Sequence, residues 1–268
     1  MKKANKLITV LIFIFLYIPM VVLIVGSFNQ GKSLSRFDGF TLEQYAELFR
    51  DADLLRLLGN SVIISVLSSF IATVFGTFSA VGIRNLRPRL RKTVMSLTNI
   101  PMTNPDIVTG ISLSLLFVFV GTKMLGQRDS LTFWTLLIAH VVFNLPYVIL
   151  NVMPKLQQMD ASLVDAAMDL GCTPLEAFFK VTLPEIMPGI AAGAIMAFTM
   201  SLDDFVISYF VTGMDFVTLP VEIYSYTKKP IPPKIYAMFT LLFLLILVLM
   251  VVMNLLQLKG DRKKSEGK

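Results

Sequence analysis

Six long apolar runs constrain this chain more than any other feature. They fall at about 7–28, 60–83, 94–121, 131–153, 186–211 and 235–258. Each is near the ~20 residues that an α-helix needs to cross a hydrocarbon core about 30 Å thick. Backbone N–H and C=O groups find no water in that core, so segments of this kind must satisfy them internally as helices. Charged residues are only 16% of the chain, against about 25% in a soluble domain. The expected fold class is an all-α polytopic membrane protein of six transmembrane helices, one domain over 1–268 with a flexible tail at 259–268.

The first run follows MKKANK, as a secretory signal would. It is longer than a typical signal core and no A-x-A site follows, so it reads as an uncleaved first span. The net charge is +6. In a membrane chain this excess marks cytoplasmic loops rather than a nucleic-acid surface. The N-terminus, 84–92, 154–185 and the tail together hold 15 of the 24 Lys and Arg. Both termini and the 154–185 loop are therefore expected in the cytoplasm. The loop at 29–59 then lies outside, where Leu42, Tyr45, Leu48 and Phe49 recur at helical spacing. Cys172 is the sole cysteine, so no internal disulfide can form and no metal cluster is indicated.

The 154–185 loop is unusual. Connections between packed helices are mostly about 2–8 residues long, and this one has its own stop and start signals. Residues 161–170 read as a short helix with Gly171 at the left-handed position after it. Thr173, Pro174 and Glu176 then form a capping box with proline at the first helical position. Leu175, Phe178 and Phe179 make an apolar stripe on the second helix, which Pro184 and Pro188 are expected to stop before span five. A mere connector at the membrane surface and a rigid docking knob both fit this pattern.

The string Asp165-Ala166-Ala167-x3-Gly171-x9-Val181-x-Leu183-Pro184 resembles the EAA motif of ABC importer permeases, with Asp165 where Glu is usual and Val181 where Ile is usual. The resemblance implies a type I (MetI-like) permease fold. It also implies that Asp165, Ala166, Ala167, Gly171, Leu175, Leu183 and Pro184 belong to a coupling segment that docks on a cytoplasmic ATPase. No G-x4-GK[ST] phosphate loop occurs in the chain. It is thus expected to be no enzyme and to need no cofactor of its own, with ATP and Mg held by the partner.

An intramembrane charge costs about 2.5–3.5 kcal/mol on insertion scales, so such residues are read as functional by default. Asp203 and Asp204 lie within span five and Asp106 within span three, and no Lys or Arg in an apolar core stands ready to pair with them. On a continuous helix the adjacent pair would point about 100° apart, so only one can face a given path. Asn104-Pro105-Asp106 also reads as a helix start, with the dipole stabilising the acid; capping and substrate contact are both open. Pro101 and Pro105 point to a break in span three. Phe205 and Tyr209, with Tyr224 or Tyr226 further on, offer cation–π faces or simple interfacial anchors. His140 and Asn144, beside Pro146, are read as helix–helix hydrogen-bonding residues.

The strings PMTNPDIVTGISL, SLDDFVISYFVTG and TLPVEIYSYTKKPIPPKIYA resemble the spermidine/putrescine branch of these permeases. That resemblance implies a polyamine substrate and three kinds of partner: a second permease subunit, an ATPase dimer and an extracytoplasmic polyamine-binding protein. It makes Asp203, Asp204, Asp106, Phe205 and Tyr209 the candidate substrate path. The alternatives are a permease for another small solute, such as another cationic amine or ferric ion, and a cation-coupled secondary transporter. A secondary carrier has no need of a capped cytoplasmic knob.

Overall fold

A computed structural model describes residues 2–31, 36–124, 126, 130–160, 162–213, 215–226 and 231–266, and side chains only within 6–252. Six of its helices are long and apolar enough to cross a membrane: Lys6–Ser27, Ala52–Arg84, Asp106–Met124, Phe133–Gln158, Pro174–Leu202 and Pro233–Val252. Among the described residues the only pairing of the β type is a bridge between Asn29 and Phe40.

In chain order the helices are α1 (Lys2–Ser27), α2 (Glu43–Arg50), α3 (Ala52–Arg84), α4 (Pro88–Thr103) and α5 (Asp106–Phe119). They continue as α6 (Phe133–Gln158), α7 (Ser162–Asp169), α8 (Pro174–Ala177), α9 (Leu183–Leu202), α10 (Val206–Val211), α11 (Leu219–Ser225) and α12 (Pro233–Glu266). Several differ from the sequence expectation, each for a local reason. Span two begins at Ala52, not near residue 60, because Asp51 accepts from the backbone N–H groups of Asp53 and Leu54 and starts the helix early. The break expected in the third apolar run is present and falls at Pro105. Pro105 lacks an N–H and forces Asn104 into an extended conformation (φ −80°, ψ 138°). Pro101, by contrast, is carried inside α4. The backbone of α12 runs on to Glu266, through most of the tail expected to be frayed; that stretch has no proline and its Lys and Arg suit a helix C-terminus. Residues 267–268 lie outside the described residues.

The chain divides into two units. One joins residues 1–56 to 225–248. Here Ser27 and Tyr45 hydroxyls meet at 2.8 Å, and Phe28 stacks on Phe40 with ring centroids 5.3 Å apart. The Asn29 side chain accepts from the backbone of Asp38 and donates to the carbonyl of Arg36. Helix α2 buries Gln44 and Leu48, leaving Leu42 and Phe49 exposed, and Lys234 donates to Asp51 at 2.6 Å.

The other unit, 57–224 with 249–268, contains the sites discussed below. Its centre is α6. One cluster joins Ala72, Ala80 and Ile83 of α3, Val148, Val152 and Leu156 of α6, and Ile186 and Ala197 of α9. The helices meet at small residues. A Cβ on Gly76 would lie 2.7 Å from Val148 Cγ1, and one on Gly189 would lie 2.9 Å from the Asn151 carbonyl oxygen. In hydrocarbon, where apolar surface alone does not drive association, such close backbone approach supplies the packing energy. A second cluster, with Ile64, Leu136, Phe143, Ile207 and Val211, holds α10 against α3 and α6.

Candidate functional site

Two regions of this unit carry the expected site residues. The first is the 154–185 loop. Helix α7 ends as the glycine pattern predicts: Gly171 has φ +90°, its N–H bonds to the Met168 carbonyl, and the Cys172 N–H bonds to that of Ala167. Ala161 lies outside the described residues. Thr173 Oγ1 accepts from the Glu176 N–H at 3.3 Å while Glu176 Oε2 accepts from the Thr173 N–H at 2.8 Å, completing the capping box. Asp165, Ala166, Gly171, Leu175 and Pro184 are exposed, whereas Ala167 is buried and Leu183 half-buried. Of the loop's apolar side chains the most exposed are Leu170 at 87% and Leu175 at 68%. Phe178 turns inward, its ring 6.0 Å from that of Phe78 on α3.

The second helix of the loop does not stop at Pro184. It passes through a π-helical turn at Phe178–Thr182 and continues as α9. In that wider turn the Leu183 N–H reaches back to the Phe178 carbonyl, a register that absorbs the donor missing at Pro184. The result is one helical rod from Pro174 to Leu202. At 1.5 Å per residue it is about 43 Å long.

The second region is the far end of that rod. The expectation of adjacent aspartates on a continuous helix is corrected here: α9 ends at Leu202, α10 begins at Val206, and Asp203 to Phe205 are unwound. The two carboxylates then have opposite surroundings. Asp203 is exposed and sits beyond the last turn of α9, where the free carbonyls carry the negative end of the dipole. An acid there is disfavoured unless a cation is nearby. Asp204 is turned into the protein with a side chain 7% exposed. Its oxygens accept from the backbone N–H groups of Ile207 at 3.2 Å and Ser208 at 2.7 Å. His140 Nε2 lies 3.5 Å from the same carboxylate.

His140 therefore supplies the partner that no Lys or Arg of the apolar runs provides. The ring is 1% exposed, with Nδ1 2.6 Å from Ser201 Oγ and Nε2 3.0 Å from Ser208 Oγ. Ser201 Oγ meets Ser68 Oγ at 3.0 Å, and Asn144 donates to Ser68 at 3.4 Å. The cross-helix bonding expected of His140 and Asn144 is thus present. Nothing in the sequence marks Ser68, Ser201 and Ser208, because a serine in an apolar run carries no positional signal.

Around the unwound turn the rings of Phe205, Tyr209 and Tyr224 gather. Phe205 stacks on Tyr224 at 4.4 Å, and Tyr209 lies 5.5 Å and 6.0 Å from them. Tyr224 is brought here by the preceding segment, which is tied to α3: Asn60 donates to the Val217 carbonyl at 2.9 Å and the Leu219 N–H to Ser61 at 2.8 Å. Asp106 stands exposed in the first turn of α5, with Pro105 rather than Asn104 as the flanking cap residue; the Asn104 amide instead donates to Thr109 Oγ1 at 3.1 Å. Helix α5 packs on α10 at Gly110, where a Cβ would lie 3.5 Å from Ile207 Cα.

Residues 72–265 match the family described as binding-protein-dependent transport system inner membrane component. The chain belongs to this family. The permease is 37% identical over 233 residues to the spermidine/putrescine transport system permease protein PotC of Escherichia coli K12, covering 87% of this chain and 86% of the relative. It is 40% identical over 233 residues to the putrescine transport system permease protein PotI of the same organism, covering 86% and 82%. PotC of Haemophilus influenzae is 35% identical over 250 residues, covering 93% and 95%. In fold, the permease resembles a subunit in the crystal structure of a bacterial ABC transporter involved in the import of the acidic polysaccharide alginate, with TM-score 0.74 at 18% identity over 97% of this chain and 94% of that one. The MetNI methionine ABC transporter in an inward-facing conformation gives TM-score 0.55 at 22% identity over 78% and 93%. The type I importer permease fold expected from the EAA-like string is the fold observed. The permease is a multi-pass transport component of the inner membrane, not a catalytic subunit.

Proposed function

We propose that this permease forms half of the translocation path of an ATP-driven polyamine importer, for spermidine, putrescine or both. The observation that carries the reading is Asp203, an exposed carboxylate set against the negative end of α9. A multiply protonated amine is the kind of solute that such a focus favours. Asp106 in the first turn of α5 adds a second carboxylate, Asp204 adds negative charge from behind the turn, and the Phe205–Tyr209–Tyr224 rings offer π-faces to ammonium groups. The 35–40% identity to permeases named for spermidine and putrescine supports the same substrate class.

In this reading both termini and the 162–184 segment lie in the cytoplasm, as the Lys and Arg distribution predicts. An ATPase pair binds and hydrolyses ATP, and the exposed face with Leu170 and Leu175 meets it. The rod from Pro174 to Leu202 carries that movement to the Asp203 turn. A second permease subunit completes the path, and an extracytoplasmic binding protein delivers the amine. The test is uptake by proteoliposomes holding the whole assembly with its loaded binding protein. ATP-dependent accumulation of spermidine or putrescine, but not of an uncharged or anionic solute of similar length, is expected. No accumulation of either amine overturns the substrate. Crosslinking from the native Cys172, or from Leu170→Cys, is expected to reach the ATPase; failure at both positions overturns the docking face.

A further inference from the structure

The proposed path uses the exposed carboxylate of Asp203, but nothing in it explains His140. This ring is almost wholly buried and bonds on both nitrogens to residues far away in the chain. Ser201 precedes the unwound turn, Ser208 follows it, and Asp204 lies within it. His140 thus grips the turn from both sides and from the middle.

Nε2 of His140 meets Ser208 Oγ at 3.0 Å and stands 3.5 Å from the Asp204 carboxylate, while Nδ1 meets Ser201 Oγ at 2.6 Å. Ser201 Oγ in turn meets Ser68 Oγ, which accepts from the Asn144 amide and donates to the Ser65 carbonyl at 3.4 Å. The ring is thereby one link of a continuous buried polar chain that runs from α3 and α6 to the turn. The carboxylate end is completed by the Ile207 and Ser208 N–H groups. Two helix ends that would fray apart are thereby held at a set angle. Asp203, one residue from the anchor, has its direction fixed without a bond of its own side chain to any of these groups.

We infer that His140 is a positioning residue: through Asp204 it locks the unwound turn so that Asp203, and not Asp204, presents its charge to the translocated cation. This rests on the polyamine reading above. Because attraction to a fixed negative focus grows with ligand charge, losing the focus penalises spermidine more than putrescine. A general loss of folded protein lowers both in proportion.

The experiment compares uptake of the two amines, supplied with the loaded binding protein, in proteoliposomes containing the complete transporter. His140→Asn keeps an amide near Nδ1 but cannot reach Asp204; His140→Gln places one near Nε2. The spermidine-to-putrescine ratio is expected to fall at least about threefold in Asp203→Asn and by a similar factor in His140→Asn. It should return towards wild type in His140→Gln, and show no further fall in the His140→Asn, Asp203→Asn double variant. If His140→Asn does not assemble, Ser201→Ala, which frees the Nδ1 side and leaves the ring in place, is measured the same way and should lower the ratio. A wild-type ratio in the assembled His140→Asn protein, equal behaviour of the Asn and Gln variants, or full additivity in the double variant overturns the inference. Wild-type liposomes that import neither amine overturn the polyamine reading instead, so the two failures are distinguishable.

Discussion

The two ends of the rod from Pro174 to Leu202 are built by different means. At the loop end every stabilising bond is local: Thr173 with Glu176, Gly171 with Met168, Cys172 with Ala167. At the other end the decisive bonds bridge distant positions, His140 to Ser201 and Ser208, and Ser68 to Ser201. The loop end is solvent-exposed, where a broken hydrogen bond is replaced by water. The turn end is buried, where a broken bond leaves a polar group or charge with no substitute. The loop end should therefore tolerate change in stability while affecting coupling, and the turn end should tolerate little.

The largest expected effect is at His140→Leu. It strips a buried carboxylate and Ser201 of their shared partner and should cost about 1–3 kcal/mol, seen as a lowered unfolding midpoint of the purified assembly. His140→Gln should recover much of this. A loss no greater than that of Thr173→Ala would break the comparison. Asp203→Asn sharpens it from within the same turn. The side chain is exposed, so the unfolding midpoint should stay unchanged while uptake falls at least about tenfold, equivalent to about 1.4 kcal/mol. A destabilisation matching that of Asp204→Asn would show that the two aspartates are not differently placed.

At the loop end Thr173→Ala removes one cap and should cost about 1 kcal/mol. Gly171→Ala meets open space for its Cβ, so its only cost is the left-handed φ, also about 1 kcal/mol. Both should weaken stimulation of ATP hydrolysis by the loaded binding protein more than they lower the unfolding midpoint. The smallest effect is expected in the other unit. The hydrogen bond from the Lys234 ammonium, with the Leu54 N–H, holds the Asp51 carboxyl below its ordinary value. A depressed carboxylate stabilises fully above the unfolded value near pH 4, and that contribution fades as pH falls through the folded value. Asp51→Asn should remove about 1 kcal/mol or less at neutral pH and flatten the acid limb of stability against pH.

Local pattern carries only as far as the next turn or two. Pro105 broke the third run because proline acts on its own neighbours. Pro184 is expected to stop the loop helix in the same way, and the protein instead absorbs that proline in a π-helical turn that starts at Phe178, whose ring lies 6.0 Å from that of Phe78. Which of Asp203 and Asp204 faces a path is not legible in the sequence, because the break between α9 and α10 has no glycine or proline to announce it. It is held open by capping of α10 from Asp204 and by the grip of His140.

From the sequence alone follow the six membrane helices, the family, and the cap-by-cap construction of the 154–185 loop. Each rests on hydropathy over about 20 residues or on contacts within a turn or two, and those quantities are written consecutively along the chain. Only the tertiary structure decided that the rod is continuous through Pro184, that Tyr224 joins Phe205 and Tyr209, and that one aspartate of the pair is buried and the other displayed. Those outcomes depend on which serines and which histidine meet across α3, α6 and α9, and a buried polar group takes its partner from whatever the packing brings within reach.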